Sequence, residues 1–436
     1  MNIYIESLGC FKNSADTEEL VNLLTKVNFK ITNRIDESDV MIINTCGFIE
    51  PAVEESIDRI LELAKYKDEN RKLIAFGCMI ERYINEIHNL IPEIDKVFGV
   101  NCFNELVDYL ISIDKKNAHK SLNNPHYLHT HLPYYSFIKI ADGCDNRCSY
   151  CMIPMIKGGL KSLDINKIVQ NVKNVLLLGV KEIILIAQDI SKYGIDLYGR
   201  EKLTDLLEEL NKIDKEFFIR LLYVNPDGID DRLINQIKDY EKIIKYLDVP
   251  IQHTSDKILK AMNRKIDSYR LNLLFEKLRT ELPELTIRTT IIVGFPGEEE
   301  DDFKRNIDFL ERYKPEWLGV FPFYAEEGTS AYSLKGRVKK TVVNERINAL
   351  NSLQMRNTTL KFNNLIGVNT KVFIEDYNSK KKIFVGRTLM QSPEIDGMCY
   401  IKFDKDSRLK TYGPYNAVID NFDYPDIFVT AHYNNN

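Results

Sequence analysis

Six strand-like runs, separated by long helical intervals, recur through the middle of the chain. Intervals of this length allow a helix to cross back before the next strand begins, so the pattern predicts a parallel sheet covered by helices. Six strands are fewer than the eight that close a TIM barrel. The sequence therefore predicts an open six-unit partial barrel, with strands at Tyr135–Ile140, Glu182–Ala187, Phe218–Tyr223, Tyr246–Ile251, Thr286–Val293 and Trp317–Tyr324.

The first 113 residues show the same alternation of strands and helices. Together the two regions place the protein in the α/β class, with an N-terminal parallel sheet covered on both faces. The first helix is predicted to begin near Asp16, with Asp16 and Glu19 forming a capping box. The predicted strands are Ile3–Leu8, Asp39–Asn44, Lys72–Phe76 and Val97–Val100.

The C-terminal region changes to short alternating strands with polar turns, at Lys371–Ile374, Ile383–Arg387, Gly397–Phe403 and Asn416–Ile419. This pattern predicts a small antiparallel β-barrel, a fold that often binds RNA. From Leu365 onwards, however, nine Lys and Arg face nine Asp and Glu. Without a net positive charge to hold phosphates, a protein partner is the better interpretation.

A chain of 436 residues is expected to form more than one domain. We predict an N-terminal domain at 1–113, a linker at 114–134, the partial barrel at 135–340, a helical join at 341–364 and the β-barrel at 365–436. The linker collects Asn, His and Pro, and its four His, among them His119 and His131, are interpreted as solvated residues rather than metal ligands.

Bulk properties favour a soluble cytoplasmic protein. The net charge of -5 provides no overall basic field for nucleic acid. Asn2–Glu6 alternates like a strand and does not resemble a signal peptide. The most apolar stretch, Val175–Ala187, is too short to span a membrane. The eight cysteines are thus expected to be metal ligands or reduced thiols rather than disulfides.

Three thiols lie within eight residues, at Cys144, Cys148 and Cys151, just beyond the first strand of the predicted barrel. Soft thiolates are the ligands of iron–sulfur clusters. A closed zinc site normally has four ligands, and this run supplies three. Three thiolates on a four-iron cluster would leave one iron open to a small molecule. A zinc site with a distant fourth ligand and simple core packing remain the alternatives.

Three further thiols, Cys10, Cys46 and Cys78, each follow a predicted strand. They should therefore emerge together at the carboxyl edge of the N-terminal sheet, where open α/β folds hold ligands, and they could bind a second cluster. Cys102 also follows a strand, so position alone nominates four ligands. Gly9, Gly47 and Gly77 beside them favour close approach of the backbone to something bulky.

Polar residues at the other barrel strand ends share the face that carries chemistry in such barrels: Gln188, Asp189, Tyr223, Asn225, Gln252 and His253. His253 is interpreted as a hydrogen-bonded residue in preference to a base. The turn Gly294–Glu298 also suits a bound adenosine or ribose.

The thiol run, with aromatic Tyr150 before its last cysteine, resembles the signature of radical S-adenosylmethionine (SAM) enzymes. Over nearly its whole length the chain resembles the methylthiotransferases of that superfamily. The segments Ser7–Asn13 and Asn44–Ile49 are similar to the RimO branch, which modifies an aspartate of ribosomal protein S twelve. The tRNA-modifying MiaB branch usually has Gln-Met where this chain has Phe11 and Lys12.

The resemblance implies two [4Fe-4S] clusters and SAM, with a C-terminal TRAM barrel. One cluster would be held by Cys144, Cys148 and Cys151, and the other by Cys10, Cys46 and Cys78, leaving Cys102 out. It implies that the first cleaves SAM to a radical that takes a hydrogen from the aspartate β-carbon, and that the second delivers the methylthio group. No further catalytic residue is predicted. Tyr150, Gln188 and Asp189 are the predicted SAM pocket.

The implied partners are ribosomal protein S twelve, possibly on the ribosome, and an electron donor such as a flavodoxin or ferredoxin. No membrane is expected as a partner. Two alternatives stay open: methylthiolation of an adenosine in tRNA, for which Lys380–Lys382 is the one basic run in the last domain, and a noncatalytic iron–sulfur or zinc protein.

Overall fold

A computed structural model describes residues 1–114, 134–403 and 412–432. The predicted linker with its four His falls almost entirely outside the described residues. Within the described ranges, no helix is both long and apolar enough to cross a membrane.

The N-terminal domain is a five-stranded, wholly parallel sheet in the order β2-β1-β3-β4-β5. Its central strand β3 is buried along its entire length, as expected for a parallel strand covered on both faces. The strands are β1 Asn2–Ser7, β2 Lys30–Thr32, β3 Val40–Thr45, β4 Lys72–Gly77 and β5 Lys96–Phe98. The helices are α1 Phe11–Lys26, α2 Glu50–Ala64, α3 Cys78–Arg82, α4 Ile87–Leu90 and α5 Phe103–Ile113.

The predicted start of the first helix is wrong. Helix α1 begins at Phe11 with Cys10 as its N-cap, so Asp16 lies in its second turn and caps nothing. Asp16 is buried and binds lysines of the next domain, a role that its local sequence does not reveal. The four predicted strands are present, and the short edge strand β2 is an addition to them.

The central domain confirms the predicted open sheet. Six parallel strands follow one another in the order β6-β9-β10-β11-β12-β13, and a two-stranded hairpin of β7 and β8 follows the first of them. The strands are β6 Tyr135–Lys139, β7 Ala141–Asp142, β8 Lys161–Ser162, β9 Glu182–Ile186, β10 Phe218–Leu221, β11 Ile243–Gln252, β12 Thr286–Val293 and β13 Trp317–Pro322.

Helices cover the outer face of this sheet and bury a large apolar core against it. They are α6 Ile153–Ile156, α7 Ile165–Leu177, α8 Ile195–Tyr198, α9 Leu203–Asn211, α10 Asp231–Asp239, α11 Asp256–Ala261, α12 Ser268–Glu281, α13 Glu300–Tyr313 and α14 Lys340–Asn363. The last of these is the predicted helical join.

The C-terminal domain is a closed five-stranded barrel in the order β14-β15-β16-β18-β17. Its strands are β14 Asn369–Asn378, β15 Ile383–Thr388, β16 Cys399–Phe403, β17 Tyr415–Asp423 and β18 Asp426–Ala431. The barrel was predicted, but the fifth strand was not. Strands β16 and β18 pair in parallel, whereas the remaining four pairs of neighbouring strands in the barrel are antiparallel.

The barrel is docked on the inner face of the open sheet. Phe373 and Ile401 of the barrel share an apolar cluster with Phe218 and Tyr246 of the sheet. Arg387 of the barrel donates to the buried carboxylate of Glu182 on β9, at 2.6 Å. A buried charge pair of this kind is costly to break, so the barrel is a fixed part of the molecule.

Candidate functional site

Cys144, Cys148 and Cys151 lie in the loop between the β7–β8 hairpin strands, beyond the carboxyl end of β6. The loop turns at Gly143, whose φ is +68° and where a Cβ would lie 2.1 Å from the Gly159 carbonyl oxygen. Only glycine fits this turn. The loop therefore has a fixed entry, and its three sulfurs point into one region.

Contacts from several barrel elements hold this loop. The Cys144 amide donates to the Gly158 carbonyl at 3.1 Å, and the Ser149 amide donates to the Met262 carbonyl at 3.0 Å. The Asn146 side-chain amide donates to Asp189 at 2.6 Å. Backbone N–H groups of Asn146 and Ile153 lie 3.5 and 3.4 Å from the sulfurs of Cys144 and Cys151, where they would favour negative charge on those sulfurs.

Burial raises the pKa of the Cys144 thiol to about 11 and that of Cys151 to about 12. Without a cation these thiols would stay protonated, and a bound metal would have to displace the protons. The donor set is soft sulfur in a partly dry loop, which suits iron.

Cys10, Cys46 and Cys78 lie at the carboxyl edge of the N-terminal sheet, as predicted from their positions after strands. Cys10 caps α1, Cys46 follows β3 and Cys78 opens α3. Asn13 sits among them: its Nδ2 donates to the carbonyl of Leu8, and the Cys78 sulfur donates to its Oδ1 at 3.7 Å. Burial raises the pKa of Cys78 to about 12, and the neighbouring Cys10 and Cys46 add to the shift, which places the three in electrostatic contact.

The glycines beside these thiols approach protein rather than open space. A Cβ at Gly9 would lie 2.7 Å from the Cys46 Cβ, and one at Gly47 would lie 2.6 Å from the Met79 Cα. Their smallness therefore lets the three chain segments converge, which is what brings the sulfurs together.

Cys102 is separated from this set by its environment. It is buried in the apolar core with Phe103 and Leu106, and its sulfur donates to the Gly99 carbonyl at 3.1 Å. The structure thus distinguishes a core cysteine from three edge cysteines, where strand position alone did not.

The two sets of thiols face each other across the domain interface. Cys78 packs directly on Met152 and Ile156, the residues that follow Cys151. The Nζ of Lys12, a residue of α1 that follows Cys10 by two positions, lies 3.6 Å from the centroid of the Tyr223 ring just beyond β10. A single space between the domains is therefore bordered by both sets.

Throughout residues 1–114, 134–403 and 412–432, no three His, Cys, Asp or Glu side chains converge tightly enough to hold one metal ion. A structural zinc needs its ligands on a single ion. Thiolates that bind different irons of a cluster stand further apart. Among the described residues, neither set of thiols is therefore arranged as a single-ion zinc site.

The domain interface beside the thiols contains a buried ion network. Asp16 of α1 accepts from Lys139 of β6 and from Lys157, the latter at 2.9 Å, and all three side chains are at most 15% exposed. Despite burial, the two lysines lower the pKa of Asp16 below its usual value. This network fixes the N-terminal domain against the loop that carries Cys144 to Cys151.

We expect Asp16→Asn to destabilise the metal-free protein by about 3 kcal/mol at pH 7, because it leaves two buried lysines with only the more distant carboxylates of Asp142 and Glu19. Since the folded-state pKa is lowered, the contribution of Asp16 is complete above the unfolded pKa of about 3.9 and is lost as pH falls through the folded value. The difference between variant and wild type should therefore shrink below about pH 4.

Urea unfolding at a series of pH values measures this difference. Asp36→Asn is the matched control, because Asp36 pairs with Arg34 on the surface with 63% of its side chain exposed. Its loss should change stability far less than the loss of Asp16, because an exposed ion pair is screened by solvent. Equal effects of the two substitutions on stability at pH 7 would contradict the role of Asp16 in the buried ion network.

The predicted SAM-pocket residues are found around Cys144, Cys148 and Cys151. Tyr150 packs against the cluster of Ile258, Met262 and Phe295. Gln188 donates to Asp142 at 3.1 Å, while its buried Oε1 has no hydrogen-bond partner among the described residues. Asp189 is already engaged, since it accepts from Asn146, Ser191 and Asn225. Its carboxylate positions the thiol loop.

Arg264 is a site residue that the sequence did not reveal. Its Nη1 lies 4.0 Å from the Cys148 sulfur, and its Nη2 donates to Asn225 and to the Pro250 carbonyl. Its buried Nε has no partner in the part of the chain that the structure describes. No sequence motif marks Arg264, because its link to Cys148 spans 116 residues.

Backbone strain marks the same edge. Tyr223 and Gln252, at the ends of β10 and β11, have φ values of +62° and +70°. Such conformations are costly for residues other than glycine, and they concentrate at functional sites. The Gln252 Oε1 is also buried without a partner among the described side chains.

His253 and the Gly294–Glu298 turn do not face this space with free groups. The Nδ1 of His253 accepts from the Ser255 amide at 3.0 Å. Burial lowers the pKa of His253 to about 3, so the ring is neutral and hydrogen-bonded. Glu298 accepts from the amides of Gly294 and Phe295 and pairs with Arg346 at 2.8 Å. That carboxylate stabilises its own turn.

Family descriptions match three parts of the chain: the Uncharacterized protein family UPF0004 at residues 2–99, the Radical SAM superfamily at 138–310 and the TRAM domain at 366–431. These parts coincide with the parallel sheet, the open barrel and the closed barrel.

Curated relatives match over nearly the full length. The chain is 42% identical to "Ribosomal protein uS12 methylthiotransferase RimO" of Carboxydothermus hydrogenoformans, over 98% of both chains. The protein of the same name from Acetivibrio thermocellus is 43% identical over 91% of both chains. That from Clostridium novyi is 42% identical over 92% of this chain and 91% of its own.

Solved structures share the fold at low identity. The radical S-adenosylmethionine methyltransferase TsrM from Kitasatospora setae, with cobalamin and a [4Fe-4S] cluster bound, has a TM-score of 0.55 and 11% identity, over 76% of this chain and 73% of that one. The cobalamin-dependent radical enzyme OxsB, with S-adenosylmethionine bound, has a TM-score of 0.51 and 12% identity, over 81% and 56%. These likenesses concern the fold alone.

Proposed function

The chain belongs to the RimO family of ribosomal protein uS12 methylthiotransferases, and we propose that it adds a methylthio group to the β-carbon of an aspartate in uS12. The observation that carries this proposal is the pair of thiol sets, each at the edge of its own sheet, that border one space between two domains. A single-cluster protein would have no use for the second set.

In this proposal Cys144, Cys148 and Cys151 hold one [4Fe-4S] cluster, and Cys10, Cys46 and Cys78 hold another. Three thiols in each set fit a four-iron cluster with one open iron. When bound, the clusters and SAM supply the electron, the radical and the sulfur. The chain itself positions the thiols and aligns the two domains through Asp16.

We propose that SAM lies against Tyr150 and Gln188, beside the loop that Asp189 positions. The partnerless Gln188 Oε1 supports this placement, because it is an acceptor for the amino group that SAM carries. No other catalytic residue is needed beyond the cluster ligands. This arrangement assigns Cys10, Cys46 and Cys78 to a domain at 1–113, and Cys144, Cys148 and Cys151 to a domain at 135–340. The helix at 341–364 then joins the second domain to the barrel at 365–436.

The proposed partners follow from this chemistry. The cluster at Cys144 needs an external one-electron donor such as a flavodoxin or ferredoxin. The substrate uS12 is bound either as the free protein or on the ribosome. We place the protein in the cytoplasm because its proposed substrate is a ribosomal protein.

Anaerobic incubation of the reconstituted protein with SAM, a reductant and purified uS12 tests the proposal. We expect the intact mass of uS12 to rise by one methylthio group in place of one hydrogen, and fragmentation to place that group on an aspartate. SAM cleavage without any change in the mass of uS12 would contradict the proposed substrate.

A further inference from the structure

Lys12 makes no direct ion pair among the described residues of the interface, and the carboxylates of Asp142 and Asp248 act on it only from a greater distance. It is the second residue of α1 and is only partly exposed. Among the described residues no Asp or Glu oxygen lies within 4 Å of its Nζ, and its contact is the Tyr223 ring at 3.6 Å. The other interface cations differ, since Lys139 and Lys157 bind Asp16 and Arg82 binds Glu326.

The position of Lys12 is fixed from both domains. It follows Cys10 by two residues, so it moves with the set formed by Cys10, Cys46 and Cys78. The backbone of Tyr223, whose ring contacts Lys12, is held on both sides. Its amide donates to Asp248 of β11 at 3.0 Å, and its carbonyl accepts from Ile190, which follows β9, at 3.1 Å. The φ of +62° at Tyr223 shows that its strained backbone conformation is imposed by its surroundings.

The charge of Lys12 reaches both thiol sets. Electrostatic interactions link it to Cys10 and Cys46 on one side and to Cys151 on the other. Lys12 therefore lies beside the space that both sets border.

We propose that Lys12 binds the side-chain carboxylate of the substrate aspartate and so fixes the β-carbon between the two sets of thiols. The inference rests on the function proposed above. A partly buried ammonium is costly when unpaired, and the incoming carboxylate supplies the missing partner. Because the β-carbon is bonded directly to that carboxylate, holding the carboxylate orients the carbon that reacts. A neutral adenosine offers no such group, so the same contact selects a protein substrate over tRNA.

Lys12→Met tests this role in the cluster-loaded protein. We expect the variant to retain its iron and to cleave SAM without substrate, while kcat/KM for uS12 falls by roughly 10- to 100-fold, as for the loss of a charged hydrogen bond. Lys12→Arg keeps the charge and should retain most of the activity. A loss of iron or of SAM cleavage in Lys12→Met would overturn the proposal, because Lys12 would then serve the cofactors.

The matching change in the substrate isolates the charge. Replacing the target aspartate of uS12 by asparagine should weaken binding to the wild-type enzyme by a similar factor, and should weaken binding to Lys12→Met far less. Equal binding of both uS12 forms to wild type would overturn the proposal even if the variant failed to fold. If wild type left normal uS12 unmodified while cleaving SAM, the proposed function would fail instead.

Discussion

Replacing Cys148 with alanine is expected to abolish SAM cleavage. Cys148 is the middle thiol of its set, and Arg264 lies beside its sulfur, so the loop has no substitute ligand at that position. Two remaining thiolates do not hold a four-iron cluster in place. Without the cluster, no electron reaches SAM, and both deoxyadenosine formation and methylthiolation should fall to background.

Deoxyadenosine released under anaerobic conditions with excess reductant measures this loss. Iron should fall to about half of the wild-type content, because the other set of thiols is intact. Cys102→Ala is the matched control, since Cys102 is a buried thiol in an apolar core. It should keep its iron and its activity and lose only modest stability. Cleavage by Cys148→Ala at the wild-type rate would show that the cluster lies elsewhere.

Replacing Cys46 with alanine is expected to separate the two half-reactions. Cys46 lies in the N-terminal set, where the Gly9 backbone approaches it and the Ser56 hydroxyl holds its amide at 3.0 Å. The loop from Cys144 to Cys151 is anchored on the barrel by Asp189 and Met262 and does not depend on this thiol. SAM cleavage should therefore persist, while transfer of the methylthio group to uS12 should be lost.

The two variants are most informative in parallel. Deoxyadenosine and the mass of uS12 should be measured in the same reactions, with iron determined on each preparation. We expect Cys46→Ala to form deoxyadenosine without modified uS12, and Cys148→Ala to form neither. If neither variant, or both equally, formed deoxyadenosine, the division between the two sets would be refuted. About four irons per wild-type chain, or zinc in their place, would count against two clusters.

The alternation of strands and helices was enough to predict both sheets, because parallel pairing constrains spacing along the chain. It also placed Cys10, Cys46 and Cys78 at one edge, since each follows its strand directly. Elements with weak local signals were missed. Strand β2 has three residues at the sheet edge, and β18 lies beyond the last predicted strand of the barrel.

The contacts that join the domains were not predictable from the sequence. The residues around Asp16 predict a helix cap, because only the local pattern can be read from the sequence. Its partner Lys139 lies 123 residues away and forms no part of that pattern. For the same reason Asp189 suggested a cofactor contact, although its carboxylate is consumed by Asn146, Ser191 and Asn225. Lys12 was noted only as a difference between branches, and its place between the thiol sets emerged from the fold.

The exposed basic run of the barrel gives little support to the tRNA alternative. Lys380 lies in an exposed turn, and Lys381 sits over the Tyr400 ring at 5.5 Å. Both are in the barrel, whereas Lys12 and the thiols lie between the other two domains. A few surface lysines on a domain with balanced charge do not make a phosphate-binding face.

A direct competition between the two substrates tests the central claim. Wild-type protein with both clusters reconstituted would be incubated anaerobically with SAM, reductant, uS12 and tRNA together, and the mass of each substrate would be measured over time. We expect one methylthio group on an aspartate of uS12 and none on tRNA. A methylthio group on an adenosine of the tRNA, with uS12 unchanged, would contradict it.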